Sequence, residues 1–376
     1  MIVVLIGTRA QLIKMAPVLL ALERTQAPYR LVLSGQHRVT MADLLREFGV
    51  VTVPAMLYEG DEISGIKQMV GWLLRLFYRA LVSRRALFTR PSGERACLVV
   101  HGDTVSTLLG AVIGHCRGYD VVHVEAGLTS GRWSEPFPEE LTRRLVFRLA
   151  DVAYCPGAWA AGNMRRFRAR IVDTGANTII DAVQAALARF DTIAVEIPTG
   201  AYAVVSLHRF ENIFDAARFG FIVTTLERMA ARIPLAFVLH PATHKQAAKH
   251  GLLVRLEQHA GITLYPRMTY VPFLKLLNSA RFVVSDGGSN QEELAWLGVP
   301  TLLMRAATER QEGLGGCVVL AHYDSAVIER FVDRVLTQPP ILVARVAPSP
   351  SPAQMIAQSL VRDYAPRQAT SALNGP

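Results

Sequence analysis

The hydrophobic positions of this chain gather into short runs rather than long stripes. In the first half these are "IVVLIG", "RLVLSG", "CLVVHG", "VVHVEAG", "VAYCPG" and "RIVDTG"; in the second, "YAVVSLH", "LAFVLHP", "ITLYPR", "FVVSDGG", "TLLM" and "CVVLAH". Most are β-branched and stop at Gly, Pro or Asp, which is how buried strands read. Segments with helical spacing, such as "MAPVLLALERT" and "NQEELAWLG", lie between them. Strand alternating with helix builds βαβ units and a parallel sheet covered on both faces. About twelve strands are too many for one comfortable open sheet. A chain of 376 residues also exceeds one ordinary core. The pattern therefore predicts an α/β protein of two Rossmann-like, doubly wound domains facing a central cleft. The boundary is expected within "CPGAWAAGNMRRFRARIVDTG", at about residue 168, giving domains over 1–168 and 169–376. After Gln338 come "PP" and "PSPSP", then a last helical pattern, "AQMIAQSLVRDY", and a polar tail expected to fray.

The residues that follow each strand change the picture from a fold to a site. Arg9 follows the first run, Gln36 and His37 the second, His101 and Asp103 the third, and Glu125 the fourth. In the second half come His208 and Arg209, then His240, then Asp286, Gly287, Gly288 and Ser289. A lone acid there would usually be a helix cap or a solvated loop residue. Ligands of open α/β sheets, however, bind beyond the carboxyl ends of the strands, and so many Arg, His, Asp and Glu exceed what capping requires. Ser289 reads as an N-cap with Glu292 completing a capping box, and the glycine pair before it leaves backbone N–H groups suited to a phosphate. Neither GxGxxG nor GxxxxGK occurs. Arg9 and Lys14 could both face an anion, although Lys14 also reads as a solvated helix residue. Asp103, Glu125 and Glu139 are three acids of one domain, and carboxylates sharing a cleft can divide into acid and base. His208 stands beside Arg209 and near Glu211.

Charge and composition narrow the partners. The formal net charge is +9, compatible with nucleic acid, an anionic membrane surface or a polyanionic small substrate. No RNP-type box, zinc-finger spacing or basic arm is present, which disfavours nucleic acid. "RRALFTR" and "RRFRAR" are local basic clusters. The segment from Gly65 to Phe88 reads as a packed surface helix with an arginine-rich outer face, or alternatively as a helix lying on a membrane. No apolar segment reaches the ~18–20 residues of a membrane span. The N-terminus enters a strand at once, so a cytoplasmic location is expected. Four cysteines without a CxxC pair indicate neither a zinc site nor a disulfide framework.

Ordered motifs along nearly the whole chain resemble the UDP-N-acetylglucosamine 2-epimerases. "GTRAQLIKMAPV" is similar to the family's opening G-T-R-P-E-x-I-K-x-x-P, "SGQHRVTMADLLREFG" to its G-Q-H-R segment, and "HGDTVSTLLGA" to its H-G-D-T. "HVEAGLTSGRWSEPFPEELTRR" looks like H-V-E-A-G-L-R-T followed by P-E-E-x-x-R, and "DTGANTIIDAV" like T-G-N-x-x-x-D-A. "HRFEN" resembles H-R-R-E-N, and "SDGGSNQEELAWLGVPTLLMRAATERQEG" resembles D-S-G-G-x-Q-E-E through T-E-R-P-E. The resemblance implies the two-domain GT-B fold, with the last helix packing back on the first domain, and a homodimer acting on a UDP-sugar. It places the catalytic groups on Asp103, Glu125, Glu139 and His208, and Arg9 and Lys14 near the diphosphate. Ser289 and its glycines fall on phosphate and uracil, Glu293 on the ribose, and Arg310 among the binding residues. The reaction implied is epimerisation at C2 by elimination and re-addition of UDP, feeding polysaccharide synthesis, with no metal or nicotinamide required. A hydrolysing branch that releases N-acetylmannosamine and UDP shares the fold. A GT-B glycosyltransferase would not need the acid trio, and a silent sensor would be expected to lose part of it. Four segments depart from the pattern: Ala10 and Gln11 for Pro-Glu, Thr129 for arginine, Phe210 for the second arginine of H-R-R-E-N, and Gly-Gly-Ser for Ser-Gly-Gly.

Overall fold

The computed structural model describes residues 1–35, 38–58, 71, 75–83, 85–90, 93–131, 139–339 and 345–366. They form two compact units, Met1–Ala185 with Ala347–Pro376, and Ala186–Val346. The first holds a seven-stranded sheet of β1 (Ile2–Ile6), β2 (Tyr29–Leu33), β3 (Ala55–Met56), β4 (Cys97–His101), β5 (Asp120–Val124), β6 (Val152–Cys155) and β7 (Arg170–Asp173), in the order β3-β2-β1-β4-β5-β6-β7. The second holds six strands, β8 (Ala203–Ser206), β9 (Leu235–Val238), β10 (Ile262–Tyr265), β11 (Phe282–Ser285), β12 (Thr301–Leu303) and β13 (Val318–Leu320), in the order β10-β9-β8-β11-β12-β13. Every strand pair is parallel.

Both sheets are doubly wound in the Rossmann manner. The chain starts in the middle, builds outward to one side through β2 and β3 (or β9 and β10), then returns and builds to the other side. The order therefore reverses between β1 and β4, and again between β8 and β11. Loops leaving such neighbours diverge to opposite faces and leave a crevice at the carboxyl ends. The central strands β1 and β4 are buried along their whole length because helices cover both faces. Val3, Leu5, Leu98 and Val100 join Leu76, Phe88 and Ile113 in the first core, while Val205, Phe237, Phe282 and Phe331 anchor the second.

Several expectations need correction. The division falls after Ala185 rather than at about residue 168, because β7 pairs with β6 from Val152↔Arg170 to Cys155↔Asp173 and so extends the first sheet. Residues from 347 onward also leave the second unit. The helix Pro352–Tyr364 packs on the helix Arg9–Arg24 of the first unit. Its end is fixed where the Met1 amine donates to the Tyr364 carbonyl at 2.7 Å and the Tyr364 hydroxyl to Asp120 at 2.9 Å. β3, a two-residue edge strand, had no hydrophobic run to reveal it. Part of Gly65–Phe88 lies outside the described residues, as do Gln36, His37 and the polar tail. In the described part, residues 75–78 are helical and are followed by a π-helix, Arg79–Ser83, and a 3-10 helix, Arg85–Phe88, with Leu76, Ala80 and Phe88 buried in the first core. Among the described residues no helix is long and apolar enough to cross a membrane.

Candidate active site

In the first unit, Gln11 ties the two loops of the switch point together. Its Oε1 accepts from the N–H groups of Gly7 (2.8 Å) and Thr8 (3.1 Å). Its Nε2 donates to the His101 carbonyl at 2.6 Å and to the hydroxyls of Thr104 and Thr107 at 2.9 Å. One buried amide thus fixes the end of β1 against the end of β4. Gly7 is required at that join, since a Cβ there would lie 2.2 Å from Ser106 Oγ. The helix Arg9–Arg24 starts from this loop, leaving Arg9 partly exposed and Lys14 buried one turn further on.

Lys14 forms an ion pair with Glu125, so its reading as a solvated residue does not hold. Glu125 also accepts from Asn177 Nδ2 at 2.6 Å, and His101 Nε2 lies 3.5 Å away. Its backbone sits at φ +65°, the left-handed region that costs an ordinary residue on the order of 1–3 kcal/mol. That conformation turns the carboxylate of a strand-end residue toward Lys14 and away from solvent. His101 and His123 are enclosed beside it, and burial pushes both imidazoles down to about 4. Both are therefore neutral at pH 7, and His123 Nε2 donates to the Gly102 carbonyl at 2.8 Å.

Asp103 lies after β4 and forms an ion pair with Arg143, its own side chain remaining 22% exposed. Arg143 projects from the helix Glu139–Leu149 and also reaches Glu140 at 3.1 Å. Glu140 is fully buried and accepts from the Thr129 hydroxyl at 2.5 Å and Arg144 Nε at 3.3 Å. Glu139, the first residue of that helix, is partly exposed where the helix dipole favours an acid.

In the second unit Asp286 holds β11 to the loop after β8. It accepts from the N–H groups of His208 (3.1 Å) and Arg209 (3.0 Å) and from Asn212 Nδ2 (2.9 Å), and it has no exposed surface. These bonds inside the fold let Asp286 shape the His208 loop. The His208 side chain is 40% exposed, with Nδ1 3.5 Å from Asp286 and its ring 5.7 Å from that of His240. His240 is the N-cap of the helix Pro241–Lys249, and its Nδ1 accepts from Ala242 N at 3.3 Å. Arg209 is bonded to Glu211 at 2.5 Å.

Gly287, not Ser289, caps the helix Gly288–Leu297, and as a glycine it makes no side-chain cap bond. The expected Ser289–Glu292 capping box is absent because Glu292 turns inward to pair with Arg310. The first-turn amides suit an anion better for lacking a side-chain cap. A Cβ on Gly288 would lie 2.9 Å from Arg310 Nε, so glycine allows the arginine to cover the helix start. Gln291 fastens the loop to the helix, donating to the carbonyls of Arg310 and Glu312 at 3.2 and 3.0 Å. Glu293 is buried on the same helix.

A family model described as UDP-N-acetylglucosamine 2-epimerase matches residues 20–351. The chain belongs to the UDP-N-acetylglucosamine 2-epimerase family. The Yersinia pestis enzyme of that name is 30% identical over 349 residues, which are 88% of this chain and 89% of its own. The Methanocaldococcus jannaschii enzyme is 28% identical over 324 residues, 82% and 84% of the two chains. The crystal structure of the latter in complex with UDP-GlcNAc and UDP superposes with a TM-score of 0.81 at 25% identity, covering 96% of this chain and 99% of that one. A Neisseria meningitidis UDP-GlcNAc 2-epimerase bound to UDP-GlcNAc shares the fold at a TM-score of 0.80 and 23% identity, covering 96% and 99%.

The departures of this epimerase-family chain from the motifs now have structural content. Gln11 occupies a Glu position, and its amide supplies the donor to the His101 carbonyl that a carboxylate lacks. Thr129 replaces an arginine and bonds Glu140 instead. Phe210 replaces an arginine, is 69% exposed and stacks on Phe214 with ring centroids 4.2 Å apart. The sequence reading did not single out Asn177, Glu140 or Arg143. The available signal was the asparagine of the T-G-N-x-x-x-D-A segment for Asn177, and an acid–base pair at helical spacing within P-E-E-x-x-R for Glu140 and Arg143.

Proposed function

We propose that this chain interconverts UDP-N-acetylglucosamine and UDP-N-acetylmannosamine by inverting C2, and so supplies polysaccharide assembly. One observation carries the reading beyond family membership. Arg143, on the helix that begins with Glu139, is ion-paired to Asp103, while Glu125 is held on its neighbouring strand by Lys14 and Asn177. Two carboxylates are thereby fixed at the carboxyl ends of adjacent strands, and a third, Glu139, begins the helix that carries Arg143.

In this reading a carboxylate removes the C2 proton while the C1–O bond breaks and UDP departs, leaving 2-acetamidoglucal. A proton then returns to C2 on the opposite face and UDP re-adds at C1. Asp103, the more exposed of the two strand-end acids, is assigned the proton transfer, with Glu139 as its counterpart. Glu125, enclosed and compensated by Lys14, is assigned to fixing the local field. In the second unit the Gly287–Ser289 turn takes phosphate, Glu293 the ribose, and His208 and Arg209 the leaving diphosphate, with His240 and Arg310 in support; Arg9, of the first unit, is assigned to the diphosphate from its motif. Gln36 and His37 are assigned with them from the motif alone.

Incubation with UDP-N-acetylglucosamine in heavy water tests the reaction. Deuterium at C2 and formation of the manno epimer are expected. UDP with free N-acetylmannosamine would instead identify the hydrolysing reaction, and an unexchanged C2 would rule out elimination. Asp103→Asn and Glu139→Gln should each abolish exchange while UDP still binds.

A further inference from the structure

Four arginines and one phenylalanine of the first unit line a concavity of about 560 Å3. Arg144 and Arg148 come from the helix Glu139–Leu149, and Arg166, Phe167 and Arg168 from the turn before β7. Arg144 is bonded to Glu140 at 3.3 Å, and Arg148 donates to the Arg144 carbonyl at 3.0 Å. Arg166 lies over the Phe167 ring at 5.2 Å, and Phe167 packs edge-on against Phe147 at 5.4 Å, which roots the turn in the core. Among the described residues no carboxylate is paired with Arg148, Arg166 or Arg168, all three of which are exposed.

Like charges gathered without counter-charge disfavour the compact state, and an anion in their midst removes that cost. Guanidinium groups present paired donors that match phosphate oxygens, and they are more weakly hydrated than ammonium groups. The volume lies within the range of small-ligand sites. We propose that this concavity binds a di- or polyphosphate group, carried by a soluble nucleotide or by a lipid headgroup. It uses no residue assigned to catalysis or to the nucleotide.

The test uses the full chain with inorganic pyrophosphate as the probe in calorimetry at low salt. A second arm measures co-sedimentation with phosphatidylglycerol-containing vesicles against pure phosphatidylcholine. Arg166→Glu/Arg168→Glu should weaken one pyrophosphate step by at least about tenfold, and the milder Arg148→Gln/Arg166→Gln should weaken the same step less. Pyrophosphate binding at the nucleotide groups should persist, as should turnover of UDP-N-acetylglucosamine, so failure of the catalytic reading would register separately. The control Arg24→Glu/Arg46→Glu, on other helices of the same unit, should change neither arm. Loss of pyrophosphate binding alone assigns a soluble ligand, and loss of both arms assigns a lipid headgroup. Identical isotherms and sedimentation for wild type and the reversed variant overturn the proposal. So does equal weakening in the control, which would reduce the effect to net charge. A changed oligomeric state with both binding arms intact also overturns it, since the arginines would then serve an interface between copies.

Discussion

Replacing Lys14 by methionine keeps the length and apolar stem of the side chain and removes its charge. Glu125 would remain enclosed, with its side chain 5% exposed and its backbone at φ +65°. Removing one partner of a buried ion pair typically costs 3–5 kcal/mol, because the remaining charge has lost its compensation and cannot reach water. The Asn177 bond persists and offsets about 1 kcal/mol of this. Protonation of the stranded carboxyl sets a ceiling. Neutralising a carboxyl of reference pKa ~4.3 costs about 5 kcal/mol at pH 8 and only about 2 kcal/mol at pH 6. Lys14→Met should therefore lose about 2–4 kcal/mol at pH 8 and no more than about 2 at pH 6. The sign follows from linkage: the variant's folded state binds a proton more tightly than its unfolded state, so its deficit shrinks as pH falls. Urea denaturation followed by circular dichroism at the two pH values measures both numbers. Lys14→Met/Glu125→Gln should recover at least about 2 kcal/mol at pH 8, since neither charge remains. A deficit under about 1 kcal/mol at pH 8, or a double variant no more stable than the single, would refute the claim that the pair is enclosed and interdependent.

The two enclosed imidazoles predict acid sensitivity of the first unit. His101 and His123 bind protons at about 4 when folded and at an ordinary 6.5 when unfolded, so stability is full above 6.5 and is lost as pH falls toward 4. Each ring contributes roughly 3 kcal/mol over that window, and His101→Gln/His123→Gln should flatten the urea-midpoint profile between pH 7 and 4.5. Gln11→Ala leaves the His101 carbonyl and the Gly7 N–H without their partner and should cost about 3 kcal/mol, read as a lowered urea midpoint. Asn177→Ala removes a charge-assisted donor from Glu125 and should cost about 2 kcal/mol, less than Lys14→Met; a larger loss would mean the amide, not the lysine, holds the carboxylate.

The strands were legible because a parallel sheet covered on both faces needs unbroken apolar runs, and twelve of the thirteen strands have one. The domain boundary was not. β7 carries the exposed Arg170 and Asp173 at the edge of the first sheet and so reads like the opening of a new domain; only its pairing with β6 assigns it. The return of the final helix to the first unit was legible only through the family motifs, since the groups that fix its end, the Met1 amine and Asp120, lie far away in sequence.

At the site, residue type was legible and role was not, as Glu125 and Asp286 illustrate. Both are acids just beyond a strand of the two sheets, and sequence treats them alike. Asp286 faces a loop whose backbone folds over it, and two N–H groups and the Asn212 amide bond it within its own unit. Glu125 turns through a left-handed residue toward Lys14 and Asn177, which lie 111 and 52 positions away in the chain. Asp103 finds its cation 40 positions away, on a helix whose rotation no periodicity specifies to the side chain. An acid near backbone donors is bonded by them, whereas an acid paired with a cation from another element keeps its charge at the strand end. That difference is made by strand register and helix rotation, which the hydrophobic pattern does not specify.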